Sequence, residues 1–168
     1  GIAAPDEIDI SLSRAIDAKH DPNIRKAIRT DFKARMLRDV PDKMRLHWSP
    51  KSPFVRKVML AAHELGLDEQ IERVRTVTTM LRPNPDLLPD NPLSKIPTLV
   101  LADGSALYDS LTICEYFDHL AGGGVLFPPP GAERWRALLW HSLGDGLLDM
   151  VILWRNEREK DPAIQFDV

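Results

Sequence analysis

The sequence predicts an α/β domain, four mixed strands with helices on both faces, followed by the start of an all-α domain. Three observations carry this. Strand-like alternation and helix-like apolar spacing succeed one another from Met44 to Leu120. Asp103-Gly104 between two strand-like runs is a hairpin signal. Beyond Pro130 the large apolar residues recur only at the three- and four-residue spacing of a helix. The chain has 168 residues, enough for one ordinary core or for one compact domain and part of another.

The composition narrows the function classes. Apolar residues make up 43% and charged residues 28%, a globular balance. The formal charge of −3 makes a general polyanion binder a poor reading, so no nucleic-acid partner is expected. A single cysteine, Cys114, excludes an internal disulfide framework and fits a reducing, cytoplasmic setting. No unbroken apolar run exceeds five residues, so neither a membrane span nor a signal-peptide core is expected. The first residue is Gly1 rather than Met, the mark of a processed product, a tag remnant or a fragment.

Residues 1–43 form an extension of unassigned role. Asp21-Pro22 is a helix start, and Ile24, Ile28, Phe32 and Met36 make an apolar stripe at helical spacing. Six basic side chains against one acidic one between residues 22 and 38 give this helix a basic face. We read it as a helix packed on its own chain with that face solvated.

Met44, Leu46 and Trp48 alternate with Arg45, His47 and Ser49, a half-buried strand. Pro53 opens a helix whose inner face is Phe54, Val55, Val58, Met59, Ala62 and Leu65, with Gly66 as its left-handed cap. Residues 71–77 read as a second strand. Residues 80–93 hold four prolines and are expected to be irregular, with one short helix. Residues 98–102 and 105–108 form the hairpin, joined by a two-residue turn at Asp103-Gly104. Ser110 then caps a helix with Leu111, Cys114, Phe117 and Leu120 inside. The first two strands, separated by a helix, are expected to be parallel and the hairpin antiparallel.

Three glycines at 122–124 and three prolines at 128–130 mark a linker over residues 122–131. After it, Trp135, Leu138, Leu139, Leu143, Leu147, Met150, Val151 and Trp154 describe the apolar face of a long helix over about 132–159, in a second region that reaches residue 168.

Several junctions could carry chemistry. Ser52-Pro53 stands where the first strand gives way to the first helix. A helix N-terminus offers unpaired N–H groups and a partial positive charge, which favour an anion or thiolate beside it. A hydroxyl there can donate to such a sulfur, or it can simply cap the helix, and Ser49 is equally ambiguous. Ile96-Pro97 precedes a strand-like run in which proline cannot join a ladder. A cis bond there would leave the main chain of Ile96 free to pair with an extended peptide, whereas a trans proline would only open an edge strand. Lys95 could meet a carboxylate. Asp109-Ser110 is a second strand-to-helix junction, able to hold a carboxylate on the helix and an ammonium on Asp109. Together these features could converge on one short, charged, sulfur-containing peptide. His20, His47, His63, His119 and His141 are scattered without metal-ligand spacing, so no metal is expected.

From Met44 to about Lys160 the chain resembles the glutathione transferase superfamily. The resemblance rests on LHWSPKSPFVRKV, on NPLSKIPTL and on YDSLTICEYF. SPFVRKV and GDGLLDM are most similar to the small bacterial members that carry serine where omega-type relatives carry cysteine. The resemblance implies a thioredoxin-like glutathione-binding domain over 44–121, in the order β-α-β-α-β-β-α, then a truncated all-α domain from 132. It implies that the chain is a transferase, with glutathione as co-substrate, a small electrophile as second substrate and a homodimeric assembly. It places Ser52 at the thiol-activating position, with Pro97 as a cis-proline and Ile96 on the cysteinyl backbone. Lys95 would meet the glycyl carboxylate, Asp109 and Ser110 the γ-glutamyl end, and Asp145 the glutathione of the partner subunit. Serine argues for a hydrogen bond to the thiolate rather than a mixed disulfide. The competing readings are a non-catalytic interaction module of the same fold and an inactive fragment, since the helical domain of the family runs on for several more helices.

Overall fold

The computed structural model describes residues 43–79 and 82–166. The helix expected after Pro22 lies outside them. Strand β1 (Met44–Trp48) leads into helix α1 (Pro53–Leu65), and β2 (Ile71–Arg75) follows. Strands β3 (Thr98–Val100) and β4 (Ala106–Leu107) precede α2 (Ser110–Leu120) and the 27-residue α3 (Ala132–Arg158). The strands form one sheet in the order β2-β1-β3-β4. β2 lies parallel to β1, as a strand returning from a helix must, while β1–β3 and β3–β4 are antiparallel.

The core follows from the apolar spacing. Met44, Leu46, Leu99, Val58, Ala62, Ile113 and Phe117 have no exposed surface. Fully burying a side chain of this kind is worth about 1.5–3 kcal/mol, so this cluster holds α1 and α2 to the sheet. Gly66 closes α1 in a left-handed cap, with the Leu67 N–H returning to Ala62 O at 2.8 Å.

Four local expectations are revised. In place of the short helix, residues 85–90 make consecutive turns, with return bonds from Leu88 to Asn84 (3.2 Å) and from Asn91 to Leu87 (2.8 Å). Prolines at 83, 85, 89 and 92 keep these turns from propagating. The hairpin loop has three residues rather than two. Leu101 N–H pairs with Ser105 O at 2.8 Å, and Gly104 sits between them at φ 85°. Asp103 braces this loop by accepting from both the Ser105 hydroxyl and the Ser105 N–H, and the same bonds pull its carboxyl below the usual range. α2 is capped by Asp109, whose Oδ1 accepts from Leu111 N–H at 3.0 Å, and Ser110 is its buried first residue. Last, His47 is buried rather than outward. Its ring meets Thr76 Oγ1 at 2.8 Å and Asp90 Oδ2 at 2.9 Å, so the 85–90 turns cover that face of the sheet.

Residues 121–131 contain no helix or strand. Gly122, Gly123 and Gly124 take φ of 93°, 79° and 77°, a region in which side chains with a Cβ are strained. The turn they make lets buried Asp118 gather the N–H groups of Gly124, Val125 and Leu126 at 3.0, 2.9 and 2.7 Å. This carboxylate pins the exit from α2.

α3 departs furthest from expectation. It is long and apolar enough, by length and composition, to cross a bilayer, although no apolar run in it exceeds five residues. None of its residues is buried. Most of the apolar stripe is exposed, with Trp135 at 72%, Leu139 at 69% and Met150 at 67%, while Leu138 is half-buried. The half-buried stripe is Arg134, Leu138, His141, Asp145, Leu148 and Ile152.

Two outcomes test this account. Replacing Asp118 by alanine strands three N–H groups and should cost about 3 kcal/mol in urea unfolding, with Asp118→Asn near half of that. A loss below about 0.5 kcal/mol would remove Asp118 as the anchor. Cys114 lies in the core of α2, and burial pushes its thiol up to about 11. It should therefore resist a thiol reagent at neutral pH in the folded protein and react fully in denaturant; rapid native labelling would contradict its burial.

Candidate glutathione site at the carboxyl end of the sheet

The register decides what comes together. His47 near the end of β1 lies opposite Thr98, the first residue of β3. Leu107 at the end of β4 lies opposite Leu99, and Trp48 lies beside Arg75 at the end of β2. Three junctions therefore gather at one end of the sheet: Ser49–Ser52 after β1, Lys95–Pro97 before β3, and Asp109-Ser110 after β4. Asp145, on α3, is not among them.

Ser52 is the N-cap of α1. Its Oγ accepts from Val55 N–H at 3.2 Å, which leaves its own proton to donate, and the residue is half-exposed. Pro53 starts the helix without an N–H of its own. The first turn of α1 contains no acidic residue, so its partial positive charge is unanswered. Ser49 differs. It is buried, and its Oγ is held by the Arg75 guanidinium at 2.9 Å and by Lys51 N–H at 3.4 Å. Trp48 fixes that guanidinium from the other side, 5.8 Å from its ring centroid.

The Ile96–Pro97 bond is cis. Ile96 is half-buried, and among the described residues neither of its main-chain groups takes part in a hydrogen bond. The loop before it is held by a residue the sequence reading missed. Asn91, 1% exposed, donates from Nδ2 to Lys95 O (3.1 Å) and to Thr98 Oγ1 (2.9 Å), and it accepts from Leu93 N–H at 3.0 Å. Thr98 Oγ1 donates to the same Lys95 carbonyl at 2.8 Å. The main chain of Lys95 is thus fixed, while its ammonium reaches solvent. A sequence reader has only the turn-forming Asn91-Pro92 pair as a hint of this.

At the third junction Asp109 spends one carboxylate oxygen on the helix and its side is exposed, so the other oxygen can meet a cation. Because Asp109 already answers the N-terminus of α2, the unanswered helix end at this site is that of α1. A ligand thiolate is best placed beside Ser52. Asp145 lies elsewhere, with both oxygens 2.7 Å from Lys57 Nζ.

Residues 51–120 match the family model for the glutathione S-transferase N-terminal domain. The uncharacterized GST-like protein YibF of Escherichia coli K12 is 30% identical over 124 residues, which span 73% of this chain and 58% of that protein. A glutathione transferase family member from Pseudomonas fluorescens Pf-5, crystallised with bound glutathione, is 38% identical, with a TM-score of 0.71 over 74% of this chain and 61% of that one. A glutathione S-transferase from Methylobacillus flagellatus KT, with glutathione bound, is 34% identical, with a TM-score of 0.66 over 74% of this chain and 60% of that one. The chain thus spans about three fifths of the length of these relatives. With their fold, their N-terminal domain and the sheet end that gathers these junctions, the chain belongs to the glutathione transferase superfamily.

Proposed function

We propose that this chain binds glutathione at the carboxyl end of its sheet and activates the thiol for attack on a small electrophile. The observation that carries the reading is Ser52: a half-exposed hydroxyl whose oxygen accepts from Val55 N–H, at the N-terminus of a helix whose first turn holds no acidic residue. The free main chain of Ile96 can pair with the cysteinyl unit and so bring its sulfur to that hydroxyl. Lys95 meets the glycyl carboxylate, and Asp109 with Ser110 holds the γ-glutamyl end. Pro97 shapes the edge that Ile96 presents. Ser49 serves as a support, because it is buried and its hydroxyl is held by Arg75.

The energies divide the work. A helix terminus is worth about 0.3–1 kcal/mol to an anion. One pKa unit is 1.36 kcal/mol, so the terminus alone moves a thiol by less than one unit. A hydrogen bond to a charged group adds about 1.5–3 kcal/mol, so Ser52 supplies the larger share. The sulfur attacks the electrophilic carbon, the leaving group departs with the bonding pair, and the thiol proton passes to solvent.

A homodimer fits the exposed apolar side of α3, and a cytoplasmic setting fits the single buried thiol. That same apolar side favours the second reading, an interaction module that binds a protein and turns over nothing.

Calorimetry with glutathione separates the two, since an interaction module gives no heat. In the leading reading, Ser52→Ala should raise the pKa of the bound thiol by about one unit and slow conjugation roughly 10-fold, while Ser49→Ala costs less. Conjugation at the wild-type rate by Ser52→Ala would remove that hydroxyl from the mechanism.

A further inference from the structure

α3 presents a problem of attachment. With no buried residue, it cannot be held to the sheet unit by a core of its own. Its half-buried stripe is polar at the points that matter. Arg134 pairs with Glu115 of α2 and lies over the Phe127 ring, 5.7 Å from its centroid. About two to three turns further along, His141 and Asp145 meet Lys57 of α1.

The second meeting is unusually complete. Lys57 Nζ lies 2.7 Å from each oxygen of Asp145 and 2.9 Å from His141 Nε2. An ammonium has three N–H donors and no acceptor. The carboxylate and the ring nitrogen both draw on these donors, so His141 must accept at Nε2, with its ring proton on Nδ1. The side chains are 22%, 24% and 16% exposed for Lys57, Asp145 and His141, so solvent screens this cluster less than a surface pair. Lys57 also rests against the Phe54 ring, 5.7 Å from its centroid.

We propose that Lys57, His141 and Asp145 form a clasp that positions α3 beside the start of α1, and that the clasp is complete only while His141 is unprotonated. Protonating the ring removes the acceptor that His141 offers Lys57. It also sets two cations against one carboxylate. Among the described residues, His141 meets Lys57 from α1, Asp145 from its own helix, and the Phe127 ring from the preceding segment. Cys114 of α2, near enough to feel the charges of Lys57 and Asp145, stays a neutral thiol.

The place of the clasp gives it a consequence for chemistry, which rests on the role of Ser52 proposed above. Lys57 is five residues from Ser52, about 7.5 Å along the axis at 1.5 Å per residue. The clasp thus fixes α3 next to the point where the glutathione sulfur would stand. The three residues are positioning residues: they set the wall that an electrophile meets and touch no reacting atom.

Hydrogen exchange of the α3 amides in the full chain tests the clasp directly. After correction for intrinsic rates, wild type should lose about 10-fold protection between about pH 8 and about pH 5.5, the range in which histidine changes charge. His141→Gln keeps an uncharged acceptor and should show no such step. Lys57→Met should be poorly protected at both pH values, and Lys57→Arg should restore protection near pH 8. An equal acid step in His141→Gln, or wild-type protection in Lys57→Met, overturns the clasp. A kinetic arm uses chlorodinitrobenzene as the electrophile. Lys57→Met should raise its KM about 3–10-fold with kcat and glutathione affinity unchanged, since uniform binding alone is lost; an unchanged KM overturns the positioning role. If wild type gives no heat with glutathione, the Ser52 reading fails, while the exchange data still judge the clasp.

Discussion

The antiparallel register of β1 on β3 is the constraint on which the candidate site depends. His47 stands opposite Thr98 and Leu46 opposite Leu99. Side chains alternate faces along a strand, so a slip of one residue would drive Arg45 and His47 into the space of Met44 and Leu46. Leu46, Leu99 and Thr98 have no exposed surface, so the fit is tested on both faces at once. With the register set, the chain leaving β1 for Ser52 runs beside the chain entering β3 from Ile96. A hydroxyl and a free main-chain edge, 44 positions apart in sequence, become neighbours for this reason alone.

Polar hubs, rather than apolar packing, hold the segments around that end of the sheet. Asn91 ties Leu93, Lys95 and Thr98 together, and His47 joins Thr76 to Asp90. At the far end of α2, away from the site, Asp118 likewise collects the N–H groups that leave the helix. Each hub is nearly buried on its own side, where an unpaired polar atom costs more than a bond gains. Such hubs favour one loop conformation over its neighbours, which is what a preformed ligand edge requires. The proline-rich composition of residues 83–97 serves the same end by limiting what the chain between hubs can adopt.

α3 reverses the usual order of a surface helix. Its half-buried stripe meets the sheet unit through the charged and polar groups of Arg134, His141 and Asp145, while Trp135, Leu139, Leu143 and Met150 are exposed. An apolar face of this size on a helix is expected to be covered by further protein. The relatives, of which this chain spans about three fifths, are correspondingly longer.

Read by itself, the chain settled those features that depend on neighbours in sequence. The alternation of Met44, Leu46 and Trp48, the Ser52-Pro53 helix start, the Gly66 stop and the apolar spacing of α1 and α2 all name their elements directly, because pleat and helix periods are local. The parallel return of β2 and the antiparallel hairpin followed from connection lengths. Tertiary structure decided what depends on residues far apart. It turned His47 inward, because Asp90 arrives 43 residues later to cover it. It buried Ser49 against Arg75 and left Ser52 half-exposed at the start of α1, a distinction two serines three positions apart cannot express. It moved the cap of α2 to Asp109, since only the backbone angles reveal where the helix begins. It gave Asp145 to Lys57 and turned the apolar side of α3 outward, because a helical stripe records that a face is apolar and not which body it meets.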